Sequence, residues 1–132
     1  ADDLLEANRI MLELLERNVK GKIDPTCRID GKVVIEEGAK ISGSVIRGPV
    51  IIGANAEIVN SYIGPFTSIG PGAKVTNSEV EHSILLDECE MTDLNCRLTD
   101  SLIGKQARIM RTKGLPHVNR FILGDQSEAE LL

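Results

Sequence analysis

The stretch Ile63-Gly64-Pro65-Phe66-Thr67-Ser68-Ile69-Gly70-Pro71-Gly72-Ala73-Lys74 contains two consecutive six-residue units, and Ile52-Gly53-Ala54-Asn55-Ala56-Glu57 is a third. The first residue of each unit, called here the opener, is isoleucine. Glycine follows it, and a small residue stands four places after the opener. Glycine and proline supply turn dihedrals that most residues resist. The stretch therefore predicts short strands joined by turns, with the opener and the small residue of each unit pointing inwards.

A unit of six residues cannot bury its own aliphatic side chain, so such units must stack on one another. Repeats with this period are typical of a parallel β-helix, in which three units make one triangular coil. The pattern resembles that of the left-handed β-helix, which is an exception to the right-handed crossover rule. We therefore predict an all-β fold, a single-stranded left-handed parallel β-helix of about five coils with an N-terminal α-helix.

The spacing of the openers predicts the length of one coil. Ile23, Ile29, Ile35 and Ile41 lie six residues apart, and shorter steps of five residues then recur once in every three. A coil of 17 residues follows from two steps of six and one of five. Serines repeat with the same spacing, and we expect them to stack at one corner of the prism; they are Ser44, Ser61 and Ser78, with Ser101 as a later copy.

The repeat becomes less regular after Val80. Leu85 and Cys89 fit as an opener and a small residue, but the segment from Met91 to Arg97 fits the pattern poorly. Ile103 restores the motif, and Ile109 opens the last unit. Since Ser83 and Ser101 are 18 residues apart, one coil is expected to contain an extra residue.

The first residues show helical rather than hexapeptide periodicity. Asp3 and Glu6 form a capping-box pattern, and apolar residues recur at helical spacing on more than one side from residue 3 to about residue 18. Such a helix needs two surfaces to cover it. We divide the chain into a linker helix (residues 1–20), the β-helix (21–112) and a C-terminal extension (113–132). Since the chain begins inside the helix without Met, we expect it to be part of a longer protein.

The composition argues against some classes of binding partner and indicates a cellular compartment. The net charge of −5 argues against a surface for nucleic acid or for an anionic membrane, and no apolar run is long enough to span a bilayer. The cysteines, Cys27, Cys89 and Cys96, have no zinc-site spacing, and we interpret them as free thiols of a cytoplasmic protein. We predict no metal site and no cofactor site in the chain.

The chain has two histidines, His82 and His117. Many hexapeptide proteins are acyltransferases that use a histidine as general base, which makes His82, just after the opener Val80, the one candidate for acyl transfer. A surface histidine on a coil is the simpler interpretation of His82. His117 lies outside the repeat, in an expected loop.

Several segments together resemble the C-terminal region of the long form of glucose-1-phosphate thymidylyltransferase. They cover nearly the whole chain and are Asp3-Leu4-Leu5-Glu6-Ala7-Asn8-Arg9, Arg47-Gly48-Pro49, residues 60–70, Val80-Glu81-His82-Ser83, Asp100-Ser101-Leu102-Ile103-Gly104 and Leu123-Gly124-Asp125-Gln126-Ser127. The resemblance implies an enzyme that joins dTTP and glucose 1-phosphate, with Mg²⁺, to give dTDP-glucose and pyrophosphate. It places catalysis in an N-terminal nucleotide-binding domain, and that domain's motifs match no position here.

The resemblance therefore implies a non-catalytic domain that assembles or regulates the subunits of such an enzyme. We expect a homotrimer, because residues beside the openers on the prism faces are also apolar, namely Val34, Val59, Leu86 and Leu102. A dimer joined through the helices is the alternative assembly. Two other functions stay open: an acyl-CoA-dependent acyltransferase that acetylates an amino-sugar phosphate, with His82 as base, and a scaffold protein of a multienzyme system.

Overall fold

The computed structural model describes residues 2–94 and 96–111, and the backbone of residues 119–122. Helix α1 covers Asp2–Glu13. The strands that follow, numbered in chain order, are β1 Asn18–Val19, β2 Lys22–Ile23, β3 Arg28–Asp30, β4 Val33–Ile35, β5 Lys40–Ser42, β6 Val45–Arg47, β7 Val50–Ile52, β8 Glu57–Val59, β9 Tyr62–Ile63, β10 Thr67–Ile69, β11 Lys74–Thr76, β12 Glu79–Glu81, β13 Ile84–Leu85, β14 Glu90–Thr92, β15 Leu98–Thr99, β16 Leu102–Ile103, β17 Arg108–Arg111 and β18 Asn119–Ile122.

The strands form three sheets, which are the three faces of a prism. Face A contains β1, β4, β7, β10, β13 and β16; face B contains β2, β5, β8, β11, β14, β17 and β18; and face C contains β3, β6, β9, β12 and β15. From β3 onwards the chain visits faces C, A and B in turn, five times. All described strand pairs are parallel except β17 with β18. The predicted fold class, a left-handed parallel β-helix of about five coils with an N-terminal helix, is confirmed.

The openers stack in ladders inside the prism. On face A, Ile35 pairs with Ile52, Ile52 with Ile69, and Ile69 with Leu85. Their side chains are at most 2% exposed. The small residues four places after the openers are also buried, as predicted; they are Val33, Ala39, Val50, Ala56, Thr67, Ala73, Cys89 and Ala107.

The segment after Val80 keeps the interior pattern better than its sequence indicates. Met91 pairs with Val75 and Ile109 in the face B ladder and is 1% exposed, so the expectation that it fits poorly is wrong. The unbranched thioether of methionine adapts to a site that isoleucine fills elsewhere. The next inward residue is Leu98, which pairs with Val80 18 residues earlier. The predicted longer coil is therefore present, and its extra residue lies between Met91 and Leu98.

Residues with positive φ turn the chain between faces B and C. Asn60, Asn77 and Asp93 have φ of 48°, 49° and 57°, and their side chains are hydrogen-bonded to one another along the corner. Asparagine and aspartate tolerate this region better than most residues.

Serines form two ladders rather than one. The amide of Ser61 donates to the Ser44 hydroxyl (3.0 Å), and that of Ser78 donates to the Ser61 hydroxyl (3.2 Å). Ser101 instead donates to Ser83 (3.2 Å), at the corner between faces C and A. The expectation that Ser101 joins the first ladder is wrong, because Ser83 and Ser101 both follow a face C strand.

Helix α1 is shorter than expected and ends at Glu13 rather than near residue 18. Asn18 and Val19 instead pair with Val34 and Ile35 of β4, so these two residues form sheet hydrogen bonds and do not extend the helix. Lys32 donates to the terminal carbonyl of Glu13 (2.9 Å). The helix contacts β10 of its own coil.

The C-terminal part of the chain is described only at β18, which lies antiparallel to β17 with Phe121 opposite Ile109. This strand extends face B at the upper end of the prism. His117, the tail from Asp125 and most of the proposed extension 113–132 lie outside the described residues. Of the apolar residues expected on the prism faces, Val59 is 41% exposed, whereas Leu102 is buried at 5%.

Replacing Ile69 by Asp tests the inward ladder. An unpaired carboxylate would enter a dry interior between Ile52 and Leu85, so we expect a loss of about 4 kcal/mol or more of unfolding free energy. Urea denaturation followed by circular dichroism measures the loss. The exposed Lys74→Gln variant is the control and should unfold like the parent. An Ile69→Asp protein as stable as the control would show that residue 69 does not face the interior.

Candidate functional site

The candidate base, His82, lies at the corner between faces C and A, directly after β12. Its backbone has φ of 45°, and the residues stacked below and above it, Phe66 and Asp100, also have positive φ (65° and 51°). The amide of His82 donates to the carbonyl of Pro65 in the coil below (3.0 Å). Three residues with a left-handed backbone conformation therefore stack in one column at this corner. The stacking of the coils fixes their positions.

The imidazole of His82 is oriented by both neighbours in this column. Its Nδ1 forms a short hydrogen bond with a carboxylate oxygen of Asp100. Its ring meets that of Phe66 edge to face, with centroids 6.5 Å apart. In neutral histidine, Nδ1–H then donates to Asp100 and Nε2 keeps the lone pair.

This geometry supplies two parts of a general base, the imidazole and its orienting carboxylate, but the lone pair is covered. The Nε2 atom is buried and has no hydrogen-bond partner among the described residues. A general base must come within hydrogen-bond reach of the proton that it removes. In this conformation His82 therefore has an orienting partner but no open path from Nε2 to a substrate.

Helix α1 is attached beside this corner by one buried polar side chain. Asn8, which is 9% exposed, accepts a hydrogen bond from the Ser68 hydroxyl (2.5 Å) and donates one to the carbonyl of Phe66 (3.4 Å). Buried amides are costly unless they are paired, so this contact fixes the position of the helix along the prism.

The charged side chains of α1 pair mainly with one another. The Arg9 guanidinium bonds to Glu6 (2.6 Å) and Glu13 (2.7 Å) and lies 5.9 Å from the centre of the Phe66 ring. The hydrogen bond from Arg9 lowers the pKa of the Glu6 carboxyl, and that carboxyl in turn raises the pKa of Arg9. Such exposed pairs contribute little to stability.

A second polar cluster lies on face C and was not found from the sequence. The Arg97 guanidinium stacks on Tyr62 (4.5 Å) and pairs with Glu79 (2.7 Å) and Glu81 (3.5 Å). Arg47 lies 5.9 Å from the same ring. An open groove of about 320 Å³ adjoins Tyr62 and Glu79, and Leu94 also lines it. Aligning the sequence in coils would have shown Tyr62 and Glu79 as neighbours.

The buried Cys89 is not an activated nucleophile. Burial raises the pKa of the Cys89 thiol to about 12, which suppresses the reactive thiolate. Cys27 donates to the carbonyl of Ile41 (3.3 Å), and the three thiols are free, as expected. Within residues 2–94 and 96–111, no group of three or more His, Cys, Asp or Glu side chains is arranged to hold a metal ion. No described helix is long and apolar enough to cross a membrane.

The structure pairs His82 with a residue that sequence reasoning did not select. The orienting carboxylate belongs to Asp100, 18 residues after His82 in the sequence. The signal was present in the Ser83 and Ser101 spacing, which is the local coil length. His117 lies outside the described residues, so its predicted loop position stays a prediction.

Two curated relatives match nearly the whole chain. Glucose-1-phosphate thymidylyltransferase of Streptomyces antibioticus is 45% identical and that of Streptomyces griseus 40% identical, each over 129 residues or 98% of this chain. The chain spans only 36% of the length of either relative. No protein-family model matches the chain.

A solved structure agrees in fold. It is the acetyltransferase domain of PglB from Neisseria gonorrhoeae FA1090 in complex with acetyl coenzyme A, which matches with a TM-score of 0.50 and 18% identity. The match covers 75% of this chain and 54% of that one. At this level of identity the likeness concerns the fold alone.

Replacing Thr67 by Val tests the packing under the corner. Thr67 is fully buried, and its hydroxyl has no hydrogen-bond partner among the described residues. Because Val has nearly the same shape without the unpaired hydroxyl, we expect the variant to be about 1 kcal/mol more stable. Thermal unfolding measures the change, with Thr76→Val on the outside of face B as the matched control. A destabilised Thr67→Val protein would show that the hydroxyl has a partner.

Proposed function

We propose that this chain, which corresponds to the C-terminal β-helix region of the glucose-1-phosphate thymidylyltransferase family, is the non-catalytic assembly domain of such an enzyme. The observation that supports this proposal is an identity of 40–45% over 98% of this chain. The matched region makes up only 36% of the length of each relative. The enzyme would join dTTP and glucose 1-phosphate to give dTDP-glucose and pyrophosphate. Its catalytic groups would belong to a nucleotide-binding domain preceding this one.

The chain's own residues support a structural task. The nucleotide loop, the sugar-phosphate lysine and the metal-binding aspartate implied by the resemblance have no counterpart at any position of the sequence. The described residues do not fit Mg²⁺, because they contain no suitable group of ligands. We therefore assign no step of nucleotidyl transfer, and no Mg²⁺ ligand, to these residues. The free thiols suit a reducing cytoplasm.

Assembly is the task that the exposed surface favours. A stack of coils sharing one interior is a rigid body, since each coil rests on the next. Helix α1 adds exposed apolar side chains to that body, and exposed apolar area favours association. We propose a homotrimer with prisms side by side around a threefold axis, so that each trimer joins three catalytic domains.

The second candidate function is acyl transfer with His82 as general base. The hydrogen bond between Nδ1 and Asp100 favours it, because an orienting carboxylate is the usual partner of a catalytic imidazole. The buried Nε2 disfavours it in the present conformation. A neighbouring subunit would have to complete the site.

The chemistry of the isolated chain distinguishes these two functions. We expect neither pyrophosphate release from dTTP and glucose 1-phosphate with Mg²⁺ nor micromolar binding of acetyl-CoA, because the nucleotide motifs are missing and Nε2 is covered. A coupled pyrophosphate assay and isothermal titration calorimetry are the measurements. Micromolar acetyl-CoA binding that is abolished by His82→Ala and retained by the control Lys74→Gln would favour the acyltransferase.

The mass of the chain in solution tests the assembly role. We expect light scattering at micromolar concentration to give the mass of three chains, because closed cyclic contacts bury the exposed apolar surface in every subunit. Dilution over a hundredfold range should show reversible dissociation. A mass of one or two chains that does not rise with concentration would contradict the trimer.

A further inference from the structure

We infer that Asn8 and Ser68 form a register-selecting pair, whose hydrogen bond chooses one of several nearly equivalent positions that α1 could take along face A. In the longer enzyme, the same pair would set the height at which the preceding domain leaves the prism. That consequence rests on the proposed function, whereas the choice of register is a property of this chain alone.

The outward side chains of face A change little from one coil to the next. The central outward residues of its strands stack directly on one another and are, from the lower end upwards, Asn18, Val34, Ile51, Ser68, Ile84 and Leu102. Of these residues, only Asn18, exposed in the lowest strand, and Ser68 are polar. Since neighbouring strands are about 4.8 Å apart, a helix that lies along this column meets a similar aliphatic surface at each step.

The inward side of α1 has nearly the same spacing as this column. Its buried residues are Leu5, Asn8 and Leu12. Three or four residues of a helix rise by about 4.5–6 Å, which is close to the distance between strands. The helix runs along the prism axis, because Asn8 meets Ser68 in β10 and the carbonyl of Glu13 meets the side chain just before β4, two strands lower. A shift of α1 by one strand would therefore preserve most of its apolar packing.

The two polar side chains meet only in the observed register. The Ser68 hydroxyl donates to Oδ1 of Asn8 (2.5 Å), and Nδ2 of Asn8 donates to the carbonyl of Phe66 (3.4 Å). One strand lower or higher, Asn8 would lie against Ile51 or Ile84 and its amide, which is 9% exposed, would lose the hydroxyl partner. The loss of a buried hydrogen bond disfavours these registers by about tenfold or more in population. A single buried asparagine selects the register of coiled coils in the same way.

The ion pairs of α1 and the segment that follows it do not make this choice. Arg9 pairs with Glu6 and Glu13 of the same helix, so these bonds move with the helix. Lys32 reaches the carbonyl of Glu13 with a long, exposed side chain that can follow a displaced helix end. Residues 14–17 connect α1 to β1 and form neither helix nor strand, which leaves slack for a shift of about 5 Å.

Moving the polar position of the column tests the inference. The exchange variant, Ile51→Ser combined with Ser68→Ile, places the hydroxyl one strand lower, so we expect α1 to shift down by about 5 Å. NOE spectroscopy with labelled methyl groups measures the register. In the parent, the methyl groups of Leu5 should show NOEs to Ile84, one strand above Ser68. In the exchange variant, these NOEs should move to the isoleucine introduced at position 68.

Two further variants decide the question if the exchange variant does not fold. Asn8→Leu combined with Ser68→Val removes both polar partners, so this apolar variant should be at least as stable as the parent. We expect it to show two sets of Leu5 NOEs, because no polar pair then selects a register. Arg9→Gln is the control, since it removes the ion pairs of the helix and keeps the Asn8 bond, and it should show the single set of the parent.

The outcomes are distinct from those that test the proposed function. A folded exchange variant in which Leu5 keeps its NOEs to Ile84 would overturn the inference. An apolar variant that keeps the single register of the parent would also overturn it, because the connecting segment would then position the helix. Neither result bears on the assembly function, which the mass of the chain in solution tests separately.

Discussion

The rest of this structure depends on one constraint, the stacking of one inward aliphatic side chain on another at every step of the chain. The ladder of Ile35, Ile52 and Ile69 is continuous and dry, and similar ladders fill the other two faces. Shifting a strand by one residue would turn its inward side chain to solvent, so the interior fixes the register of every strand pair. Main-chain hydrogen bonds between coils then follow from that register.

Contacts on the outside of the prism are consequences of the same register. Asp100 lies beside His82, and Arg97 reaches Glu79, because the coil between them contains 18 residues. Proximity of two polar side chains along a corner is therefore expected in any stack of coils, whether or not they have a chemical task. The His82 and Asp100 pair gains catalytic meaning only if Nε2 becomes accessible, and in this structure it is buried.

Features that depend on the repeat can be predicted from the sequence. Features that depend on contacts between residues of different coils cannot. The parallel β-helix, the 17-residue coil and the buried small residues follow from the spacing, whereas the left-handed form was implied by the resemblance to known hexapeptide repeats. Met91 was missed because methionine is not a typical opener, although its flexible side chain fills the slot. The end of α1 was missed because pairing of Asn18 with Val34 outweighs local helical preference. The partner of His82 required the length of a coil that the sequence shows only indirectly.

Opposite charges alternate along face B of the prism. On face B, charges alternate from Lys40 through Glu57 and Lys74 to Glu90 in neighbouring strands, which pairs opposite signs and keeps this face solvated.

The ends of the sheets are protected by separate devices. The carbonyls of Ile29 and Gly31, at the lower edge of β3, accept hydrogen bonds from Arg17, and β18 covers the upper edge of face B. Lys22 lies in β2, the lowest strand of face B, and protects that edge in the manner of lysines on natural edge strands. These devices disfavour pairing of another strand with the lower edges of faces B and C.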